Sequence, residues 1–350
     1  MTLFIYIKKM KIKNTFLLIF IIFCFISCQK NEKDESIIKN IKIDYSKKLI
    51  SKISKNGDFI NSNNFHKFSL KAKEINNFLN SNANIHIIDL RSGKDFSEGH
   101  IKGAINIKFG ELFDYFLSRD IKGFDKVIMV CYTGQTANYA KSIMQLQGFD
   151  NVYSMKFGMS AWNKKFSEKW ENGISDKLIG KLENTNNQKS SKKKLAYFKC
   201  KKSSETDILE IRVKKLLKDG FKKAIIKSID VISKENEFYI IHYGNDKIYK
   251  NGHLKNAIFY NSNLSLKTDL ETLPNDKTIV VYSAAGQISA SVVAYLRLLN
   301  YDAKTLKFGA NNFMNKALKE EAFSEKEINN FQFETSEYIE DEGKVEEGGC

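Results

Sequence analysis

The chain is 350 residues long, enough for about two domains, and its 42% apolar and 28% charged residues exclude a wholly disordered polypeptide. The formal net charge of +15 raises nucleic acid or anionic lipid as partners. Much of that charge lies in Lys192, Lys193, Lys194, Lys199, Lys201 and Lys202, with no nucleic-acid motif, so a solvated linker is the reading and no nucleic-acid partner is expected.

In chain order, Lys8, Lys9, Lys11 and Lys13 precede an eleven-residue apolar run, Phe16 to Ile26. That run is too short for a spanning helix, which needs about twenty residues. It ends in Phe25-Ile26-Ser27-Cys28, which resembles a bacterial lipobox with Phe25 where Leu is usual. The resemblance implies a lipoprotein signal peptide over 1–27, lipidation of Cys28, and a membrane-surface location in the bacterial cell envelope. Loss of four lysines and no acids would leave a charge of +11. A plain signal peptide or a short membrane anchor is the alternative. Residues 28–65 are polar, with apolar spacing at Ile37, Ile38, Ile41, Leu49, Ile50 and Ile53, and read as a partly helical spacer between membrane and first domain.

Strands and helices then alternate, the pattern of a parallel α/β domain over 66–180. A helix is expected over Ala72 to Leu79, and strands over His86 to Leu90, Ala104 to Ile107, Lys126 to Val130 and Val152 to Met155. Right-handed crossovers put the ligand crevice outside the strands' carboxyl ends. Cys131 falls there, directly after the apolar run Val127 to Val130. Its loop bends at Gly134 and enters a helix carrying Ala137, Ala140, Ile143 and Met144, with Gly148 as its stop. Loop N–H groups and the helix dipole favour a thiolate at such a position, which makes a cysteine nucleophilic.

The stretch Cys131-Tyr132-Thr133-Gly134-Gln135-Thr136 resembles the active-site loop of rhodanese-like sulfurtransferases. Ile87-Ile88-Asp89-Leu90-Arg91 upstream, the run Gly99 to Asn106, and Phe157-Gly158 with Trp162 downstream fit the same family. The resemblance implies that Cys131 takes a sulfane sulfur from a small anionic donor and passes it to a thiol or other nucleophile. The anionic persulfide would sit among the N–H groups of Tyr132 to Ala137, with Asp89 and Arg91 bracing the loop; a surface ion pair is the alternative for those two. It requires no cofactor or metal. The residues after the cysteine, Tyr132-Thr133, differ from the basic residues of the well-known thiosulfate enzymes and from the Gly-Ser of mercaptopyruvate enzymes. Thr136 and Ala137 stand where the related phosphatases end their loop in arginine, which disfavours phosphatase activity.

The second half repeats the first. Gly99-His100, Gly134-Gln135 and Phe157-Gly158 recur as Gly252-His253, Gly286-Gln287 and Phe308-Gly309, at offsets of 153, 152 and 151 residues. Strands are expected at Phe238 to Ile241, Ala257 to Tyr260 and Thr278 to Tyr282, and a helix from Gln287 to Leu299. The expected fold is thus α/β, two rhodanese-like domains, each a parallel sheet flanked by helices, joined by a basic linker over 181–205. Ser283 replaces the cysteine, His242 replaces Asp89 and Gly244 replaces Arg91, so the 206–320 domain reads as inactive, with His242, His253 and His100 structural.

Residues 321–350 read as a flexible tail, acidic from Glu334 and closing on Gly348-Gly349-Cys350. Tethering places Cys350 to visit Cys131 as a relay thiol; an idle thiol or a disulfide with Cys200 are the alternatives. Two functions stay in play: a membrane-anchored sulfurtransferase working through Cys131, or a non-catalytic scaffold, sulfur carrier or redox sensor.

Overall fold

The computed structural model of the protein describes residues 44–55, 59–61, 69–201, 204–261 and 264–338. From Tyr45 onward the described residues belong to one compact unit. Cys28, Cys350 and the whole signal segment lie outside them.

The first half builds a five-stranded sheet from β1 (Ser69–Leu70), β2 (Ile85–Asp89), β3 (Ile105–Asn106), β4 (Lys126–Val130) and β5 (Val152–Met155), in the order β1-β5-β4-β2-β3. The second builds another from β6 (Ile225–Ile226), β7 (Phe238–Tyr243), β8 (Ile258–Tyr260), β9 (Thr278–Tyr282) and β10 (Ala303–Leu306), in the equivalent order β6-β10-β9-β7-β8. Every described strand pairing within the two sheets is parallel. The central strands β4 and β9 are buried over four of their five residues each, which is why they read as unbroken apolar runs. The expected α/β pair of domains is therefore present, with the repeat visible in the topology itself.

Four longer helices assemble the two halves: α1 (Tyr45–Lys55), α2 (Gln135–Gln147), α3 (Glu205–Asp219) and α4 (Gln287–Leu298). Helices α2 and α4 follow the two central strands and pack on each other, and nearly every residue of both is buried. Helix α4 is enclosed chiefly through apolar and small residues, whereas α2 buries Gln135, Asn138 and Lys141 among its apolar ones. Helix α3 lies over α2 and α4, and α1 lies over α3. One continuous apolar core runs from Leu49, Ile50 and Ile53 through Ile143 and Met144 to Val292 and Leu296.

Three segments depart from the sequence reading. The spacer is partly helical as expected, but α1 does not stand apart: its apolar face is buried, and the Ser46 hydroxyl donates to the Ala196 carbonyl. The basic linker is clasped to the second domain, through an antiparallel bridge between Glu183 and His253 and ion pairs Lys189–Asp269 (2.6 Å) and Lys192–Glu271 (3.3 Å). The expected flexible tail runs back along the first domain as far as Ser336, whose N–H reaches the Ser97 carbonyl. Phe323, Ile328, Phe331 and Phe333 pack into the first domain's core there, so apolar burial overrides the acidic composition. No helix among the described residues is long and apolar enough to cross a membrane.

Candidate active site

Strand β4 delivers Cys131 to the carboxyl edge of the sheet, beside the end of β2, where Asp89 pairs with Val130. The loop is held from below by its own backbone. The carbonyl of Cys131 accepts from Met159 N (2.8 Å), and that of Tyr132 accepts from Ser160 N (3.2 Å) and Ser160 Oγ (3.0 Å). This contact demands glycine at 158, where φ is +60 and a Cβ would lie 2.2 Å from the Cys131 carbonyl oxygen.

The sulfur lies at the start of α2. Gly134 N donates to Cys131 Sγ at 3.2 Å and Ala137 N at 3.4 Å. Gly134, at φ +86, is the residue that turns the loop into the helix. Two N–H donors and a thirteen-residue helix dipole thus converge on one sulfur, which is fully buried. Neither Cys131 nor Cys200 forms a disulfide among the described residues.

Asp89 and Arg91 form a buried pair rather than a surface one. Arg91 Nε lies 3.0 Å from both Asp89 carboxylate oxygens and Nη2 lies 2.6 Å from Oδ2, while Nη2 also reaches the Gly99 carbonyl at 2.6 Å. Burial alone would lower the Arg91 pKa; the Asp89 charge and hydrogen bond outweigh it, raise it, and keep the guanidinium charged. The guanidinium carbon sits 5.2 Å from the centre of the Tyr132 ring, so the pair meets the loop through that ring. Tyr132 also donates to Asp95 at 3.0 Å and carries the exposed Lys169 ammonium 3.6 Å from its ring centre. Burial, then the Asp95 charge, push the Tyr132 hydroxyl up to about 12, so it stays a donor at neutral pH.

The other loop residues divide by role. Ala137 and Gly134 serve through their N–H groups. Thr136 is buried in the first turn of α2. Thr133 presents its carbonyl to Trp170 Nε1 (3.1 Å) and to Gln287 Nε2 (2.9 Å). The Gln135 side chain leaves the sulfur altogether: Nε2 donates to the carbonyls of Gly286 (3.1 Å) and Leu306 (3.0 Å), and Oε1 accepts from Phe308 N (2.8 Å). His100 stacks on Phe96 with ring centres 3.8 Å apart and bonds the Phe96 carbonyl through Nδ1, a structural role.

The corresponding loop of the second half copies the cradle around oxygen. Ser289 N donates to Ser283 Oγ at 3.3 Å, six residues on, as Ala137 N does to Cys131. Ser283 is tied to Ser289, and Ser289 to Thr305. Among the described residues no basic side chain is bonded to the Ser283 hydroxyl: His242 is packed among Tyr249, Phe259 and Tyr282, and burial lowers its pKa to about 3. His253 stacks on Tyr249 and bonds the Tyr249 carbonyl. Among the described residues no group of three His, Cys, Asp or Glu side chains is placed to hold a metal ion.

Gly158, Ser160, Trp170 and Gln287 carry roles that the sequence reading did not assign. One signal was available for Gln287: the Gly-Gln pair recurs in the half that lacks the cysteine, so its role cannot be sulfur chemistry alone.

The profile of the rhodanese-like domain matches residues 71–165 and 212–316, together more than half of the chain. Thiosulfate sulfurtransferase GlpE of Shewanella oneidensis is 36% identical over 80 residues, 23% of this chain and 77% of that protein. The GlpE of Pseudoalteromonas translucida is 35% identical over 86 residues, 24% of this chain and 79% of its own length. Among solved structures, SseA of Escherichia coli, described as a 3-mercaptopyruvate sulfotransferase, aligns over 74% of this chain and 99% of its own at 17% identity and a TM-score of 0.27. A thiosulfate sulfurtransferase of Pseudomonas aeruginosa aligns over 74% of this chain and 46% of its own, at 17% identity and a TM-score of 0.28.

Proposed function

The chain belongs to the rhodanese-like domain family through both of its halves, and on that premise we propose that it is a sulfurtransferase whose Cys131 carries the transferred sulfur. The observation that carries this reading is the pair of backbone donors on one sulfur, Gly134 N and Ala137 N, at the head of α2. They stabilise a thiolate, and they are already in place before a donor arrives.

With thiosulfate as the donor, the Cys131 thiolate attacks the sulfane sulfur. A sulfur–sulfur bond forms to Cys131, the bond to the sulfonate sulfur breaks, and sulfite leaves with the electron pair. The product persulfide keeps the negative charge within reach of the same N–H groups. An acceptor thiolate then attacks the terminal sulfur, becomes a persulfide, and returns Cys131 to its thiolate. The substrate is thus a small sulfur-donor anion, and the acceptor a thiol or comparable nucleophile. Lys169, exposed beside Tyr132, adds positive potential on the approach side of the loop. The second domain, with Ser283 in the sulfur's place, holds no sulfur, since a serine hydroxyl cannot form a stable persulfide. Lipidation at Cys28 and a place on a membrane surface of the cell envelope belong to the same proposal, resting on the lipobox-like run; no transfer of radiolabelled palmitate to the protein in cells would remove them.

The complete burial of Cys131 favours a second reading, a scaffold or sensor in which the thiol is guarded. One experiment separates the two. Detergent-solubilised full-length protein is incubated with thiosulfate and cyanide, and the Cys131 peptide is weighed. Thiocyanate together with one added sulfur on Cys131, both lost in Cys131→Ser, is the expected result. Added sulfur without turnover favours a carrier; neither favours the scaffold.

A further inference from the structure

We propose that the cysteine-less second domain acts on the reaction through Gln287, a positioning residue that grips the Thr133 carbonyl and so holds the Gly134 N–H on the Cys131 sulfur.

The Thr133 carbonyl and the Gly134 N–H are the two ends of one planar trans peptide, so they point in opposite directions. The nitrogen end donates to Cys131 Sγ at 3.2 Å. The oxygen end accepts twice, from Trp170 Nε1 of the first domain at 3.1 Å and from Gln287 Nε2 of the second at 2.9 Å. Thr133, Gln287, Trp170 and Cys131 are all buried. In that low dielectric each donor on the oxygen polarises the peptide and strengthens the bond at its nitrogen, by about 10–30% per hydrogen bond. The orientation of the Gln287 amide is fixed chemically, because a carbonyl can only accept.

Orientation matters as much as polarity. Glycine at 134 leaves the Thr133–Gly134 peptide the one most able to turn over. A turned peptide would face the sulfur with an oxygen and repel a thiolate. Two donors on that oxygen prevent it. The same glycine makes room for the grip, since a Cβ at 134 would lie 2.4 Å from Gln287 Nε2. The arrangement is reciprocal: Gln135 of the first domain bonds Gly286, Leu306 and Phe308 of the second, and a Cβ at Gly286 would lie 2.3 Å from Gln135 Nε2. Each glutamine thus seats itself where the other loop has a glycine. The second domain lacks a nucleophile but supplies one of the two anchors of the peptide that faces the nucleophile in the first.

This inference rests on the sulfurtransferase reading, and the experiment separates the two. In the full-length protein, the rate of iodoacetamide labelling of Cys131 is followed against pH by mass spectrometry of its peptide. Gln287→Met keeps the length and loses the donor. It is expected to move the midpoint to higher pH and to slow labelling at pH values below the wild-type midpoint by about threefold to tenfold, with the high-pH plateau within about twofold of wild type. Ser291→Ala, at the same interface and bonded to Asn138 instead, is expected to leave the midpoint in place. Gln287→Glu keeps the shape but cannot donate when ionised, and should raise the midpoint at least as much as Gln287→Met; it decides the matter should the methionine variant fail to fold. A wild-type midpoint at the ordinary thiol value of about 8.5 overturns the sulfurtransferase reading itself. A low wild-type midpoint left unmoved in a folded Gln287 variant overturns only the role of Gln287.

Discussion

Gly158 touches Cys131 through backbone alone: a Cβ at 158 would stand 2.2 Å from the Cys131 carbonyl oxygen and 2.5 Å from that of Tyr132. The second half makes the same contact, Gly309 against Ser283, at 2.1 Å. The Phe-Gly pair that ends each domain therefore supports a loop, whether or not the loop carries sulfur. Alanine at 158 meets both a left-handed φ and a carbonyl that cannot yield, and is expected to cost about 2–4 kcal/mol in urea unfolding. Gly158→Ala should also move the midpoint of Cys131 labelling to higher pH. A midpoint left in place would show that Gly158 holds the domain and not the loop.

Asp89 and Arg91 lie with essentially no side-chain exposure, so each neutralises a charge that water cannot reach. Asp89→Asn leaves the guanidinium buried without its counter-charge and is expected to lose about 3–5 kcal/mol. Replacing both, as Asp89→Leu with Arg91→Met, should recover much of that loss, because the desolvation of two ions disappears with them. A double-mutant cycle by urea denaturation measures the difference. Additive single effects would mean that the pair contributes nothing as a pair.

Strand β4 and the start of α2 were legible because their signals are local: four buried apolar residues, a glycine at the turn, a glycine at the stop. The repeat was legible because three dipeptides recur at one domain-sized spacing. What escaped the sequence reading has no local signature. Gln287 and Thr133 are 154 residues apart, and their bond leaves no periodicity in either segment. Helix α1 was recognised as partly helical, yet its apolar stripe did not say that α3 covers it. The stretch after residue 321 misled through composition, since Glu325, Glu334 and Glu337 are exposed while irregularly spaced aromatics find partners in the first domain.

That returning stretch yields a clean test, because both tryptophans of the chain lie against it. Trp162 Nε1 donates to the Gln332 carbonyl at 2.8 Å, and Phe323 stacks on Trp170 with ring centres 4.8 Å apart. His100 and Glu334 exchange two backbone bonds of 2.8 Å. Ending the chain after Ala322 removes Phe323, Phe331 and Phe333 from the core, each buried phenylalanine being worth about 1.5–3 kcal/mol. Tryptophan emission should shift to the red and unfolding should occur at lower urea. Ending it after Tyr338 should change neither. Identical emission from the two truncations would contradict the docked segment.

Lys141 is a lysine that folding takes out of water. It is buried on α2, where its ammonium nitrogen lies 3.3 Å from Asn138 Oδ1, and it makes no ion pair among the described residues. Desolvation lowers its pKa from 10.5 to about 7. The folded pKa lies below the unfolded one, so between pH 7 and pH 10.5 the unfolded chain binds more protons than the folded protein. Stability from this group therefore rises with pH across that window, and below it both states are charged and the full cost remains. Lys141→Met removes the amine while keeping the volume of its stem, and is expected to be more stable than wild type at pH 7 by about a few kcal/mol. The gap should narrow as pH climbs toward 10, because the proton that the wild-type lysine loses on folding costs less to remove at each higher pH. Urea midpoints of the two proteins, taken at intervals from pH 7 to pH 10, measure it directly. A gap that stays constant with pH would mean that the Lys141 amine keeps its proton inside the folded protein.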